Sequence, residues 1–309
     1  MRVVFFGTPE FAVPSLSALL EADADVVAVV TQPDRPASRS HSRLVPPPVK
    51  RTALAADLPV WQPEQPRDAE FYQQVRDLRP DLGVVVAYGH LLRPELLAIP
   101  RFGLVNVHAS LLPRWRGAAP IQQAILAGDA ETGVSIMRLE TGLDTGAVWR
   151  QASVAIAPDD TAGTLADRLS HLGAATLVET LSRVALGEEP DAQAAEGITH
   201  APKIHRDDAR IRWDEAASAV SCRIRAMDPS PGAWTTIDGT EIKIFGGRVI
   251  PHDAAPAGTI VRATNQLIVA TGDRDSAVEV AEVQPAGKRR LSATDWLRGA
   301  HLAADARFQ

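Results

Sequence analysis

The chain has 309 residues, 45% of them hydrophobic and 23% charged, with a net charge of −6. That balance belongs to a globular protein with room for two cores, and no run approaches the roughly 20 apolar residues that cross a bilayer. A single cysteine, Cys222, excludes an internal disulfide framework and suits a reducing cytoplasm, and the short apolar start MRVVFFG, broken by Gly7 and Pro9, does not read as a secretion signal.

The first elements, in chain order, are an apolar strand over 2–6, a Gly7-Thr8-Pro9 turn, a helix over 14–20 and a buried strand over 25–31. This is a βαβ unit. It is not a dinucleotide site, because only Gly7 stands where G-x-G-x-x-G is required, and NAD is excluded on that ground. The Thr8–Phe11 loop is still expected at the carboxyl edge of the sheet, where such folds bind ligands. Residues 32–48 are polar and proline-rich, longer than an ordinary connection between strand and helix. No acid occurs between Asp34 and Asp57, whereas Arg35, Arg39, Arg43, Lys50 and Arg51 all do. Such a run fits a solvated loop or a grip on a phosphate backbone. A helix over 49–56, a strand over 58–61 and a helix over 68–78 follow. The continuous apolar strand over 82–87, ending in Tyr88-Gly89-His90, is typical of a parallel sheet covered on both faces.

The most informative stretch runs from Asn106 to Pro120, NVHASLLPRWRGAAP. Alternation along a strand puts Asn106, His108 and Ser110 on one face. An imidazole exchanges protons near neutral pH, and an amide donates to a developing oxyanion. No nucleophile accompanies them, so the set points to acid/base and electrostatic catalysis on an acyl group. Next come a helix over 118–127, a strand over 132–140 and the tight loop TGLDTG, whose Asp144 is either a turn former or a carboxylate that orients His108. A strand over 147–156 and an amphipathic helix over 161–186 complete a first domain, 1–187. No Cys or His spacing suits a metal.

Residues 188–205 have a linker's composition, and 206–309 read as a second domain: a helix over 213–226, then short strands at 233–237, 241–249, 259–263, 266–270 and 277–284. Regular turns between them suggest a small OB-like β-barrel. The charge is uneven. Residues 1–202 hold 17 Lys and Arg against 24 Asp and Glu, while 203–309 hold 15 against 14. Lys243, Arg248, Arg262, Lys288, Arg289 and Arg290 on the barrel suit either a solvated face or a nucleic-acid platform.

The run NVHASLLPRWRGAAPIQ, with MRLETGLDTG, resembles the folate-dependent formyltransferases. Its Trp-Arg-Gly-Ala-Ala-Pro form is most similar to the branch acting on methionyl-tRNA. TQPDRPA, PVK, ARIRW, DPSPGAW and QPAGKRRLSATDWL extend the resemblance over nearly the whole chain. The resemblance implies a Rossmann-like α/β domain with a mostly parallel sheet, followed by a tRNA-binding barrel. It implies 10-formyltetrahydrofolate as formyl donor, the α-amino group of initiator methionyl-tRNA as acceptor, and no metal. Asn106, His108 and Asp144 become the catalytic set. Ser110, Leu111, Leu112 and Pro113, with Tyr88 and Gly89, become the folate loops. Arg35, Arg39, Arg43 and Lys50, with Lys243, Arg248, Lys288, Arg289 and Arg290, become tRNA contacts. A cytoplasmic monomer is expected. The 38–43 loop departs from the family's Gly-Arg-Gly pattern, reading Ser38-Arg39-Ser40-His41-Ser42-Arg43. Related enzymes acting on glycinamide ribonucleotide or nucleotide amino sugars share Asn-x-His-x-Ser-Leu-Leu-Pro. The long basic loop and the barrel argue against the first, and the Trp115–Pro120 wording against the second. A tRNA-binding protein without catalysis is the remaining alternative, disfavoured by the intact Asn106, His108 and Asp144.

Overall fold

The computed structural model describes residues 1–36, 44–263, 266–300, 302–303 and 306–309. It forms two compact units. The first holds Met1–Gly117, Thr132–Val154 and Ala166–His200, and the second Ala118–Glu131, Ala155–Leu165 and Ala201–Gln309. The chain thus passes into its C-terminal part between His200 and Ala201, inside the segment whose composition suggested a linker. The second unit also takes two stretches, Ala118–Glu131 and Ala155–Leu165, from the expected first domain 1–187. One of them carries Leu126, which packs against the second unit's core.

In the first unit β1 (Arg2–Gly7), α1 (Val13–Glu21) and β2 (Asp25–Val30) form the expected βαβ start. α2 (Pro48–Ala55), β3 (Val60–Trp61), α3 (Ala69–Asp77), β4 (Leu82–Val86), the short α4 (Pro94–Leu97) and β5 (Leu104–His108) follow. After α5 (Pro120–Leu126), part of the second unit, come β6 (Glu131–Arg138), β7 (Val148–Ala155) and α6 (Ala162–Ala185). The sheet order is β7-β6-β5-β4-β1-β2-β3. The pairs β1/β2, β1/β4, β2/β3 and β4/β5 are parallel, and β5/β6 is antiparallel. The Arg138 N–H donates to the Ala147 carbonyl and the Ile156 N–H to the Ala130 carbonyl, so β6 and β7 form an antiparallel hairpin. Burial on both faces explains the unbroken apolar runs. Val3 and Phe5 enter one core with Leu16, Val84 and Leu177, while Val4 and Phe6 enter the other with Phe71, Tyr88 and Leu96.

The second unit holds α7 (Ala217–Ala226), β8 (Ala233–Ile237), β9 (Thr240–Pro251), β10 (Ile260–Ala263), β11 (Gln266–Ala270), β12 (Ser276–Pro285) and α8 (Ala293–Gly299). Its antiparallel sheet runs β8-β9-β12-β11-β10, a curled OB-like half-barrel. The tail spans its two edges. Gln309 exchanges two backbone bonds with Thr236 on β8, the Phe308 N–H donates to Gly258, and the Ile260 N–H of β10 donates to Ala306. Edge groups are thereby satisfied that an open sheet would leave unpaired. Phe308 stacks on Trp213 and Trp296, with ring centroids 5.7 and 6.1 Å apart. The helix expected from residue 213 starts only at Ala217. Trp213 is needed in the core, with its indole N–H on Thr235 Oγ1, and the Ala217 N–H is capped from a distance by the Asp273 carboxylate at 2.7 Å.

Candidate active site

Adjacent parallel strands β5, β4 and β1 bring His108, Ala87–Gly89 and Thr8 out on one sheet edge. The Thr8 hydroxyl and the Gln32 amide both donate to the Tyr88 carbonyl, tying these loops together. Gly89 has φ +85°, and a Cβ there would stand 2.5 Å from Gln32 Nε2, so the turn accepts only glycine without displacing that amide.

His108 is 5% exposed at the end of β5. Its Nε2 lies 2.9 Å from the Trp115 carbonyl oxygen, which can only accept, so Nε2 carries a proton. Its Nδ1 faces Asp144 Oδ2 at 3.7 Å. The same carboxylate accepts the Gly117 N–H at 2.8 Å. Trp115 and Asp144 both have left-handed backbones, φ +62° and +50°, which turn the two loops toward each other. Asn106 is half-buried, two residues before His108 on β5. Its side chain makes no hydrogen bond among the described residues, leaving the amide available.

The Ser110 side chain turns away from the sheet edge. It is fully buried, and its hydroxyl donates to the Arg114 carbonyl at 2.6 Å, so it shapes the loop from within. Leu111 is half-buried, Leu112 is buried, and the Leu112–Pro113 bond is cis. Tyr88 also points inward, edge-on to Phe6 at 5.7 Å, and burial pushes its phenol well above the usual range. Only its backbone serves the sheet edge.

Several residues that build this site carry no sequence signal of their own. Ser135 on β6 donates to the Ser110 carbonyl and accepts the Leu112 N–H, while Gln151 on β7 donates to Ser135 and to the Leu112 carbonyl. Thr199 accepts the Trp115 N–H on its hydroxyl and the Arg116 N–H on its carbonyl. Gln193 donates to the carbonyls of Asp144 and Gly146, and its side-chain oxygen accepts from Arg116. Thr199 and Gln193 lie in the segment expected to be a linker. Ser135 lies within the continuously buried run of β6, where alternation could not single it out, and nothing marked Gln193.

The cations expected to hold nucleic acid fall into different states. Arg39 and Arg43 lie outside the described residues. Arg35 is exposed and donates to Gln32. Lys50 is committed inward: its ammonium meets both Asp34 oxygens and Gln62, and these bonds hold the Asp34 carboxyl below the usual range, Lys50 contributing most. Arg290 is likewise structural, paired with Asp228 and Glu282 and lying 3.9 Å over the Phe245 ring. Arg248 pairs with Glu279, and Lys243 donates to the Pro231 carbonyl. Lys288 and Arg289 are exposed and make no ion pair among the described residues. Lys243 and Arg206 share a cavity of about 480 Å³ with Lys203, His205 and Trp234. Among the described residues no group of His, Cys, Asp and Glu could hold a metal, and no helix is long and apolar enough to cross a membrane.

Residues 1–181 match the formyl transferase family model, and residues 203–301 match that of the formyl transferase C-terminal domain. The chain is 48% identical to the methionyl-tRNA formyltransferase of Methylococcus capsulatus over 98% of both chains. It is 46% identical to that of a Mycobacterium species over the full length of both. Among solved structures it resembles an N-formyltransferase from Helicobacter canadensis, bound to folinic acid and dTDP-3-aminofucose. The TM-score is 0.70 at 18% identity, over 91% of this chain and 99% of the other. HypX from Aquifex aeolicus with tetrahydrofolic acid gives a TM-score of 0.64 at 16% identity, over 96% of this chain and 47% of that one. At such identities these two structures share the fold. The relatives and the family models place the rest: the chain belongs to the formyltransferase family, among the methionyl-tRNA formyltransferases.

Proposed function

We propose that this protein transfers the formyl group of 10-formyltetrahydrofolate to the α-amino group of initiator methionyl-tRNA. The observation that carries the chemistry is the His108–Asp144 contact beside the unbonded Asn106 amide. The folate supplies the formyl group. Asn106 donates to the formyl oxygen as negative charge gathers there, a role open to an amide with no internal partner. His108 accepts, at the Nδ1 left without a proton, the proton that the attacking amine loses, directly or through water, and returns a proton to the departing nitrogen. Asp144 offsets the positive charge that His108 then carries, and its bond to Gly117 keeps the carboxylate in place.

Leu111, Leu112 and Pro113, held by Ser135 and Gln151, would form one wall of the folate site. Gly89 would let the backbone approach the ligand closely. Arg35, Arg39 and Arg43 would grip the acceptor stem, with Lys288 and Arg289 adding charge from the second unit. We take the protein as a cytoplasmic monomer, in keeping with its lone thiol at Cys222. Single-turnover transfer to methionylated initiator tRNA, compared with methionylated elongator tRNA, tests the reading. Rapid transfer to the initiator alone is the expected result. Folate binding without transfer to either tRNA would overturn it and point to another amine acceptor.

A further inference from the structure

We propose that Gln193 is a positioning residue for formyl transfer. Its side-chain amide locks the Asp144 loop to the loop that follows His108, and so fixes where the carboxylate stands. This rests on the roles assigned to His108 and Asp144 above.

The amide is fully used. Its nitrogen donates to the Asp144 carbonyl at 2.8 Å and to the Gly146 carbonyl at 2.7 Å. Its oxygen accepts from Arg116 Nε at 3.1 Å and from a terminal nitrogen of Arg116 at 2.7 Å. Two hydrogens and two lone pairs are all that a primary amide offers. Arg116 adjoins Gly117, whose N–H holds Asp144 Oδ2, so one side chain closes a ring through both loops.

The anchor of that side chain is itself fixed. Asp191 exchanges two backbone bonds with Val148 on β7, and Thr199 binds the Trp115 and Arg116 amides. The loop needs such a hold, because Asp144 has φ +50°, in the left-handed region that residues other than glycine seldom adopt. Glutamate at position 193 would keep a partner for Arg116 but set an oxygen against two carbonyls. Methionine would fill the space and make none of the bonds.

The test uses Gln193→Glu and Gln193→Met in the full chain, each alone and combined with Asp144→Asn. Three readouts apply: kcat and KM for both substrates, thermal stability, and hydrogen exchange at the Gly117 amide. We expect kcat to fall at least about tenfold with KM nearly unchanged. No comparable further loss should appear in the Asp144→Asn background, as for residues acting through one contact. Gly117 exchange should quicken. An unchanged kcat, or the same fold-loss with and without the Asp144 carboxylate, would overturn the proposal. If the parent does not formylate methionyl-tRNA, the functional reading has failed and Gly117 exchange alone decides. Faster exchange in the variants sustains the lock, and unchanged exchange removes it. Should Gln193→Met not fold, Gln193→Glu, which keeps the Arg116 pairing, carries the test.

Discussion

Replacing Asp144 with asparagine changes charge and little else. The asparagine oxygen can still accept the Gly117 N–H, so the loop keeps its 2.8 Å anchor. What disappears is a negative charge 3.7 Å from His108 Nδ1. At an effective dielectric of about 20, a full pair at that separation interacts by about 4 kcal/mol. Both side chains are largely buried, 6% and 14% exposed, so solvent screens the pair only partly. The interaction matters once His108 has taken a proton, and so it acts on the barrier. At about 1.4 kcal/mol per tenfold, the upper limit is a loss near 10³ in rate. Adjustment of the imidazole toward the Trp115 carbonyl should recover part of this, leaving a loss of about 10²-fold or more. Single-turnover formyl transfer under saturating folate and methionyl-tRNA reads the effect directly, with thermal unfolding as control. A folded D144N protein that transfers within about threefold of the parent would refute the assignment of Asp144 as the charge partner of His108.

Other changes separate catalysis from construction. His108→Ala and Asn106→Ala should each lose about 10²-fold or more in transfer rate while keeping folate affinity, measured by tryptophan quenching. Ser135→Ala removes a hydroxyl that serves the Ser110 carbonyl, the Leu112 N–H and Gln151. It should cost about 1–3 kcal/mol in chemical denaturation and weaken folate binding, because the 110–112 loop loses its support. Arg290→Ala leaves Asp228 buried without its guanidinium and should destabilise the second unit by about 1–3 kcal/mol, whereas Lys288→Ala and Arg289→Ala should leave unfolding unchanged and reduce the salt dependence of tRNA binding. The Asp34 carboxyl is held low by Lys50 and Gln62, so its contribution to stability is present above the unfolded value of about 4 and is lost as pH falls through the lower folded value; Asp34→Asn should flatten that acid limb of the stability profile.

What the sequence disclosed follows from how each feature is encoded. The strands of the first unit were legible because both faces are buried and whole runs such as Leu82–Val86 are apolar. Asn106, His108 and Asp144 stood out as candidates because the proposed chemistry lies in residue type and in loops bounded by glycines, and the structure brings Asp144 to His108. The directions of the Ser110 and Tyr88 side chains were not legible for one reason: residue type shows what a side chain can do, not which way it points. Ser110 lies beyond the end of β5, where alternation no longer governs direction, and its hydroxyl turned inward to Arg114. The start of α7 was misplaced because its cap comes from Asp273, 56 residues away. Gln193 sits among small and acidic residues with no periodicity, and its four bonds exist only after the two loops have met.

Charge was the least transferable signal, and the reason is physical. A run without acids predicts local repulsion, but a guanidinium or ammonium finds its partner in space. Lys50 met Asp34 and Gln62 across the strand edge, and Arg290 met Asp228 across 62 residues while also covering the Phe245 ring. Those cations are already paired, so presenting them to a phosphate would first require breaking an internal ion pair. Lys288 and Arg289 have no such cost to overcome. A nucleic-acid surface on this protein is therefore better drawn from exposed, unpaired cations than from a count of basic residues. That criterion selects Lys288 and Arg289 over their neighbour Arg290 within a single run of three.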